Sequence, residues 1–286
     1  MQIGVVANME QSALTLQPVG PGLAYGDALP DGWCAIQTRP LLILVGVTGV
    51  GKSTTLAHLQ HSPLRFSLLP DRRELTDRLI ISYLQTLDGL PIQPVTDRRE
   101  RFAYTRRYHQ RFPGGMSHAL SQLLIEIAVH PAWLCFDGLR GEGEVAHAAR
   151  ALPNARFVVL DAPDLVRVQR LLGRSDRFDH ISSSGMVDTP PQGTLAAIGV
   201  TDGDGLFPPD TVQGLLQLAV PPVGTGTIAV EELRAKLQIV VEERRNYDPQ
   251  AAIAHLRAQA ADRTLIIDTT TVSAAAAAQQ IVDWAQ

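Results

Sequence analysis

The segment Gly46-Val-Thr-Gly-Val-Gly-Lys52-Ser53 satisfies the spacing G-x-x-x-x-G-K-[ST], and it lies between an apolar run and a helical pattern. In that context the glycines let successive backbone N–H groups converge on phosphate, and the start of the helix adds partial positive charge. Lys52 is then placed to reach the outer phosphates of a nucleoside triphosphate, and Ser53 to ligate Mg²⁺. ATP and Mg²⁺ are therefore the expected cofactors, held by Gly46, Thr48, Gly49, Val50, Gly51, Lys52, Ser53 and Thr54. A plain glycine-rich turn would explain the glycines but leaves the adjacent Lys-Ser-Thr without a reason.

Asp137 is the expected second metal-holding group, because an apolar run at 132–136 ends in this carboxylate. A lone Asp there reads equally as a strand-end cap, and the nearby phosphate loop favours the metal role. Asp137-Gly138 is not followed by a second acid, so the Asp-Glu pair that polarises water in many motor ATPases is missing. Neither N-K-x-D, which reads guanine, nor the transporter signature L-S-G-G-Q occurs.

Arginines form two further groups. Arg167, Arg170, Arg174 and Arg177 recur at spacings of three and four, which places them on one helical face. Such a stripe is either a solvated basic face or a device that closes on triphosphate. Because the helix should follow a strand ending beside the phosphate loop, Arg170 and Arg174 are expected to act on the transferring phosphate. The second group starts at another predicted strand end with Asp71, Arg72, Arg73 and Asp77. It continues through Arg98, Arg99, Arg101, Arg106, Arg107 and Arg111, interleaved with Phe102, Tyr104 and Tyr108. Asp71 joins Lys52, Arg170 and Arg174 as an expected catalytic residue. Arg72, Arg73, Asp77 and Arg106 are expected to meet an anionic or aromatic acceptor, although 98–111 also reads as an exposed helix with wet arginines. Pro113-Gly114-Gly115 reads as a turn before a helix.

These residues need a frame, and the hydrophobic pattern supplies one. Apolar runs at 41–47, 66–69, 132–136, 156–160 and 264–267 alternate with helical patterns, among them one at 116–129. Alternating strands and helices imply a doubly wound α/β domain whose ligands sit at the carboxyl ends of parallel strands. Residues 1–40 read as an N-terminal arm and 41–286 as the catalytic domain. Within the latter, 178–262 reads as a lid or insertion. Its portion 182–227 is rich in Gly, Pro, Ser and Thr, so a long loop is expected there, and it offers a place for a protein partner. Residues 229–245 and 249–260 read as helices, the second capped by Asp248.

With 286 residues, 45% of them hydrophobic, the chain can bury a full core. A net charge of -4 argues against general nucleic-acid binding, and two cysteines without metal-ligand spacing argue against a disulfide framework or zinc site. No apolar run is long enough for a membrane span and the first residues lack a secretory pattern, so a cytoplasmic location is expected.

Four stretches together resemble the nucleotide and small-molecule kinases of the P-loop class, adenylate kinase and its relatives. They are GVTGVGKST at 46–54, FDGLRG at 136–141, RVQRLLGR at 167–174 and LIIDTTTVSAAAAAQQIVDW at 265–284. The second is similar to the family's D-G-F-P-R element, which implies a metal role for Asp137 and an acceptor-gripping role for Arg140. Here Leu139-Arg140 stands where the family has Phe-Pro-Arg. The third resembles the lid helix, and the fourth the last strand and helix. The resemblance implies a five-stranded parallel sheet of order 2-3-1-4-5 with helices on both faces. It also implies transfer of the γ-phosphoryl group of ATP to a small acceptor, nucleotide-like or otherwise anionic. Two other readings compete with this one: a regulatory ATPase or nucleotide switch acting on a protein partner, and a ligase or transferase that uses ATP differently.

Overall fold

The computed structural model describes residues 16–26, 28–173, 193–201, 203, 205–219 and 230–286. Its strands are β1 (Gln17–Gly20), β2 (Leu23–Tyr25), β3 (Trp33–Ala35), β4 (Leu41–Val45), β5 (Phe66–Leu68), β6 (Leu124–Glu126), β7 (Trp133–Leu139), β8 (Ala155–Asp161) and β9 (Thr264–Asp268). β5-β7-β4-β8-β9 form one sheet, with every neighbouring pair parallel. Renumbered within the sheet in chain order, this is the order 2-3-1-4-5. The fold is thus α/β, with the topology expected from the sequence.

The sheet is covered on both faces, and β4 shows why. All five of its residues are buried. Leu41, Ile43 and Val45 enter one hydrophobic cluster while Leu42 and Leu44 enter the other, as side chains alternating across a strand must. The first cluster is closed by α5 (Met116–Ser121), α6 (Glu142–Ala151) and α10 (Pro249–Gln259). The second is closed by α1 (Lys52–Gln60) and α11 (Ala274–Ala285). Each fully buried Leu or Ile contributes roughly 1.5–3 kcal/mol.

Three regions depart from the sequence reading. Residues 17–35, read as part of an arm, join β6 in a second, antiparallel sheet of order β1-β2-β6-β3. Val19, Leu23 and Ile125 carry that sheet into the first cluster, joined by Ile36 just after β3. The single helix expected at 116–129 stops at Ser121, and Leu124–Glu126 becomes a strand between β2 and β3. There a short apolar run has two periodicities to choose from, and pairing with two neighbouring strands decides the choice. Within 182–227, expected to be a long loop, a 3₁₀ turn Leu195–Ile198 and α8 (Pro209–Gln217) are ordered elements. Pro209 opens α8, and Val212, Leu215 and Leu216 line its buried face. Gly214 permits close packing: a Cβ there would sit 2.9 Å from Leu165 Cδ2.

α8 packs with α7 (Asp164–Leu172) and α9 (Val230–Asn246) in a third hydrophobic cluster, separate from the two that flank the sheet. After β5, α2 (Arg72–Leu75) runs through a π-helical stretch, Thr76–Ile81, into α3 (Ser82–Leu87), and α4 (Arg98–Arg111) is laid against the π-helical stretch. No helix among the described residues is long and apolar enough to cross a membrane.

Candidate functional site

The loop between β4 and α1 has the backbone that its glycines allow. Gly46 has φ 146° and Gly49 φ 88°, values that side-chain-bearing residues rarely adopt. Space is short as well: a Cβ on Gly46 would lie 2.6 Å from Leu160 O, and one on Gly49 2.9 Å from Arg167 O. α7 therefore crosses directly over the loop. Gly51 is the N-cap of α1 and provides no side-chain cap, which leaves the helix-opening N–H groups to an anion. Val50 anchors the loop by burying its side chain in the second cluster, whereas Ser53 and Thr54 are exposed on the first turn of α1.

Lys52 folds back along this loop. Its ammonium donates to Gly46 O at 2.8 Å and Val47 O at 3.3 Å, with Asp137 Oδ1 at 3.8 Å. The side chain is 11% exposed. Burial pulls its pKa down to about 8 against the opposing effect of Asp137, and Arg140 lowers it further.

Asp137 was expected at the end of its strand, but β7 continues to Leu139. The pairing with β4 slips at this point: Leu44 pairs with Asp137 and Val45 with Leu139, so Gly138 is passed over as a bulge. That bulge re-aims the strand where the carboxylate meets Lys52. Burial raises the pKa of Asp137, Lys52 and Arg140 lower it, and Asp71 raises it again. Asp71 is thus within electrostatic reach of Asp137, and its own carboxylate caps α2 by accepting from Glu74 N–H at 2.8 Å.

Asp137 Oδ1 is buried without a hydrogen-bond partner. A carboxylate oxygen that accepts no hydrogen bond beside a phosphate loop fits a hard divalent cation. Among the described residues no cluster of three His, Cys, Asp or Glu could hold such an ion unaided.

The expected acceptor-side arginines are engaged by carboxylates. Arg72 forms a two-pronged pair with Glu144, at 2.6 and 2.9 Å, and donates to Gly138 O at 2.7 Å. Arg140 donates to Glu243 at 2.8 Å. The Tyr247 ring lies 6.0 Å from each guanidinium. Asp77 is paired with Arg101 of α4, while Arg73 and Arg106 are exposed.

The arginines of α7 have separate roles. Arg167 is 1% exposed and is held by Asp164 at 2.6 Å, by Thr48 O at 2.8 Å and by Glu243. Arg170 spans the crevice, donating to Thr269 Oγ1 at 2.8 Å, Thr269 O at 2.6 Å and Gly49 O at 3.3 Å. Expected on a lid above the transferring phosphate, Arg170 ties the phosphate loop to the segment after β9. Arg174 and Arg177 lie outside the described residues.

Glu243 was not singled out from sequence. Its carboxylate accepts from Thr48 N–H, Thr48 Oγ1, Arg140 and Arg167, joining α9 to the loop and to both arginines. The available signal was an acid on the apolar face of α9, among Leu233, Leu237, Val240 and Val241. On the far side of the loop a cavity of about 370 Å³ is lined by Val47, Asp161, Asp164, Arg244, Gln250 and Asp268. Neither Lys52 nor Asp137 lines it.

No family model and no curated protein matches the sequence. Among solved structures the chain is similar to a shikimate kinase from Acinetobacter baumannii in complex with shikimate. That match has 17% identity and a TM-score of 0.35, and it covers 87% of this chain and 93% of the other. At that score the fold assignment stands on the strand order and on the loop geometry themselves.

Proposed function

We propose that this chain is an ATP-dependent phosphotransferase that moves the γ-phosphoryl group to a small acceptor bound between the end of β5 and α7. The observation that carries the reading is the approach of Lys52 to Asp137 Oδ1 at 3.8 Å, at the mouth of a phosphate loop, with that oxygen buried and accepting no hydrogen bond.

In this reading Lys52 and the N–H groups at the start of α1 hold the β- and γ-phosphates, and Asp137 with Ser53 holds Mg²⁺. The ion supplies charge neutralisation on the bridging phosphates when bound. Asp71, exposed at the end of β5, takes the proton of the acceptor hydroxyl as its oxygen bonds to the γ-phosphorus and the bond to ADP breaks. Arg72 and Arg140 are paired with Glu144 and Glu243, so an anionic acceptor competes with these carboxylates for the two guanidinium groups.

The test is ADP release in the presence of pooled small metabolites, with Lys52→Ala as the control. Stimulation by one fraction, lost in the control, is expected. Turnover that ignores every small acceptor but responds to a protein would favour the nucleotide switch instead.

A further inference from the structure

Glu243 makes contacts on the phosphate loop that the proposed transfer does not use. Its side chain is 7% exposed, and it projects from the last third of α9 onto the phosphate loop. Thr48 N–H lies 3.2 and 3.0 Å from its two oxygens, the Thr48 hydroxyl 2.6 Å from Oε1, and Arg140 2.8 Å from Oε1; Arg167 pairs with Oε2. A loop backbone N–H and two guanidinium groups make the kind of donor set that proteins use for phosphate oxygens. Here one carboxylate of the chain itself occupies all of them. Glu243 also lies near enough to Lys52 to raise its pKa, so it shares the field that the outer phosphates of a nucleotide would enter.

The surroundings permit exchange. Arg167 would keep Asp164 and Thr48 O after losing Glu243. α9 would keep its apolar packing on α7 and α8, and Arg244 would keep Asp164 at 2.7 Å. Removing the carboxylate from the loop therefore breaks only bonds that a phosphate oxygen can replace.

We propose that Glu243 is a resident anion on the phosphate loop, holding Thr48, Arg140 and Arg167 in place of the terminal phosphate of a nucleoside triphosphate and competing with it. This rests on the preceding reading that the loop takes a triphosphate. Loading then requires the Glu243 carboxylate to leave, and the apparent affinity is reduced by the fraction of molecules in which it is docked. α9 acts in this way as a built-in competitor that links nucleotide binding to the α7–α9 cluster.

Equilibrium binding of labelled ATP with Mg²⁺ to the intact chain, and to Glu243→Gln and Glu243→Ala, tests this. The glutamine removes the charge and presents an amide donor to groups that are themselves donors; the alanine removes the competitor outright. At least about tenfold tighter binding is expected in one variant or both. Damage to the fold weakens binding, so a gain cannot arise from loss of structure. Unchanged or weaker binding in both variants, with wild type still binding, would overturn the proposal and leave the phosphate-loop reading intact. No binding by any of the three would overturn both.

Discussion

The phosphate loop and the junction above it use the same chemistry, N–H and guanidinium donors around a place for an anion, but they are assembled differently. The loop takes its donors from consecutive residues, 46–54, and its shape follows from glycine backbone angles. The junction draws on Thr48, Arg140, Arg167 and Glu243, which come together only once α7, α9 and the end of β7 are packed. A site of the first kind is specified locally and survives damage elsewhere. One of the second kind depends on tertiary packing and can couple distant elements.

That contrast predicts its own sharpest break. Lys52→Ala should cost about 10³-fold or more in turnover, because it removes a cation aimed at charge that develops during transfer. The midpoint of thermal unfolding should fall far less than turnover, since the lysine hydrogen-bonds loop carbonyls and its ion pair with Asp137 is long, at 3.8 Å. A variant that unfolds, or one that binds ATP normally, would place Lys52 in the scaffold.

The junction should behave in the opposite way. Arg167→Met leaves Glu243 and Asp164 buried without one of their cations, which costs about 3–5 kcal/mol when a buried pair is broken. Arg170→Met, three residues along the same helix and half-buried, gives up hydrogen bonds to Thr269 and Gly49 and should cost far less, about 1–2 kcal/mol. Urea unfolding of the two variants measures the difference. Equal losses would mean that burial does not separate the two arginines.

The same contrast accounts for what could be read from sequence. The loop and the five strands were legible because each rests on local patterning: glycine spacing, apolar runs and the helices between them; the order of the strands came from the family resemblance. Arg167 and Arg170 were visible as one stripe, but their roles diverge by contacts made across the fold. The acceptor arginines Arg72 and Arg140 were visible as charges, while their neutralisation by Glu144 and Glu243 was not, because those partners lie 72 and 103 residues away. The second sheet escaped for a related reason. Leu124–Glu126 pairs with β2 and β3, from a segment about a hundred residues earlier in the chain, and no window of neighbouring residues contains that information.

Asp137 stands between the two kinds of site, being placed by a bulge in β7 yet facing the loop. Asp137→Asn keeps the shape and removes the charge. Mg²⁺-dependent turnover should fall about 10²-fold, with binding of metal-free nucleotide nearly unchanged. Equal losses with and without Mg²⁺ would give the carboxylate a purely structural role.

The smallest effect is a pH dependence, and its sign follows from Lys52. Burial lowers its pKa to about 8 in the free protein, so the ammonium is fully charged well below that pH and neutral above it. Bound phosphate favours the charged form and raises the pKa again, so binding takes up a proton once the free lysine has lost its own. Triphosphate affinity should therefore be flat from neutral pH to about 7.5. Above about 8 it should fall, approaching tenfold per pH unit. ATP is already fully ionised in that range, so the nucleotide contributes no opposing step. Lys52→Arg supplies the control, because a guanidinium keeps its charge throughout. Its affinity, whatever the starting value, should not vary with pH between about 7.5 and 9.5. A wild-type profile equally flat over that interval would show that Lys52 stays charged in the free protein and that burial at the loop is weaker than its 11% exposure implies.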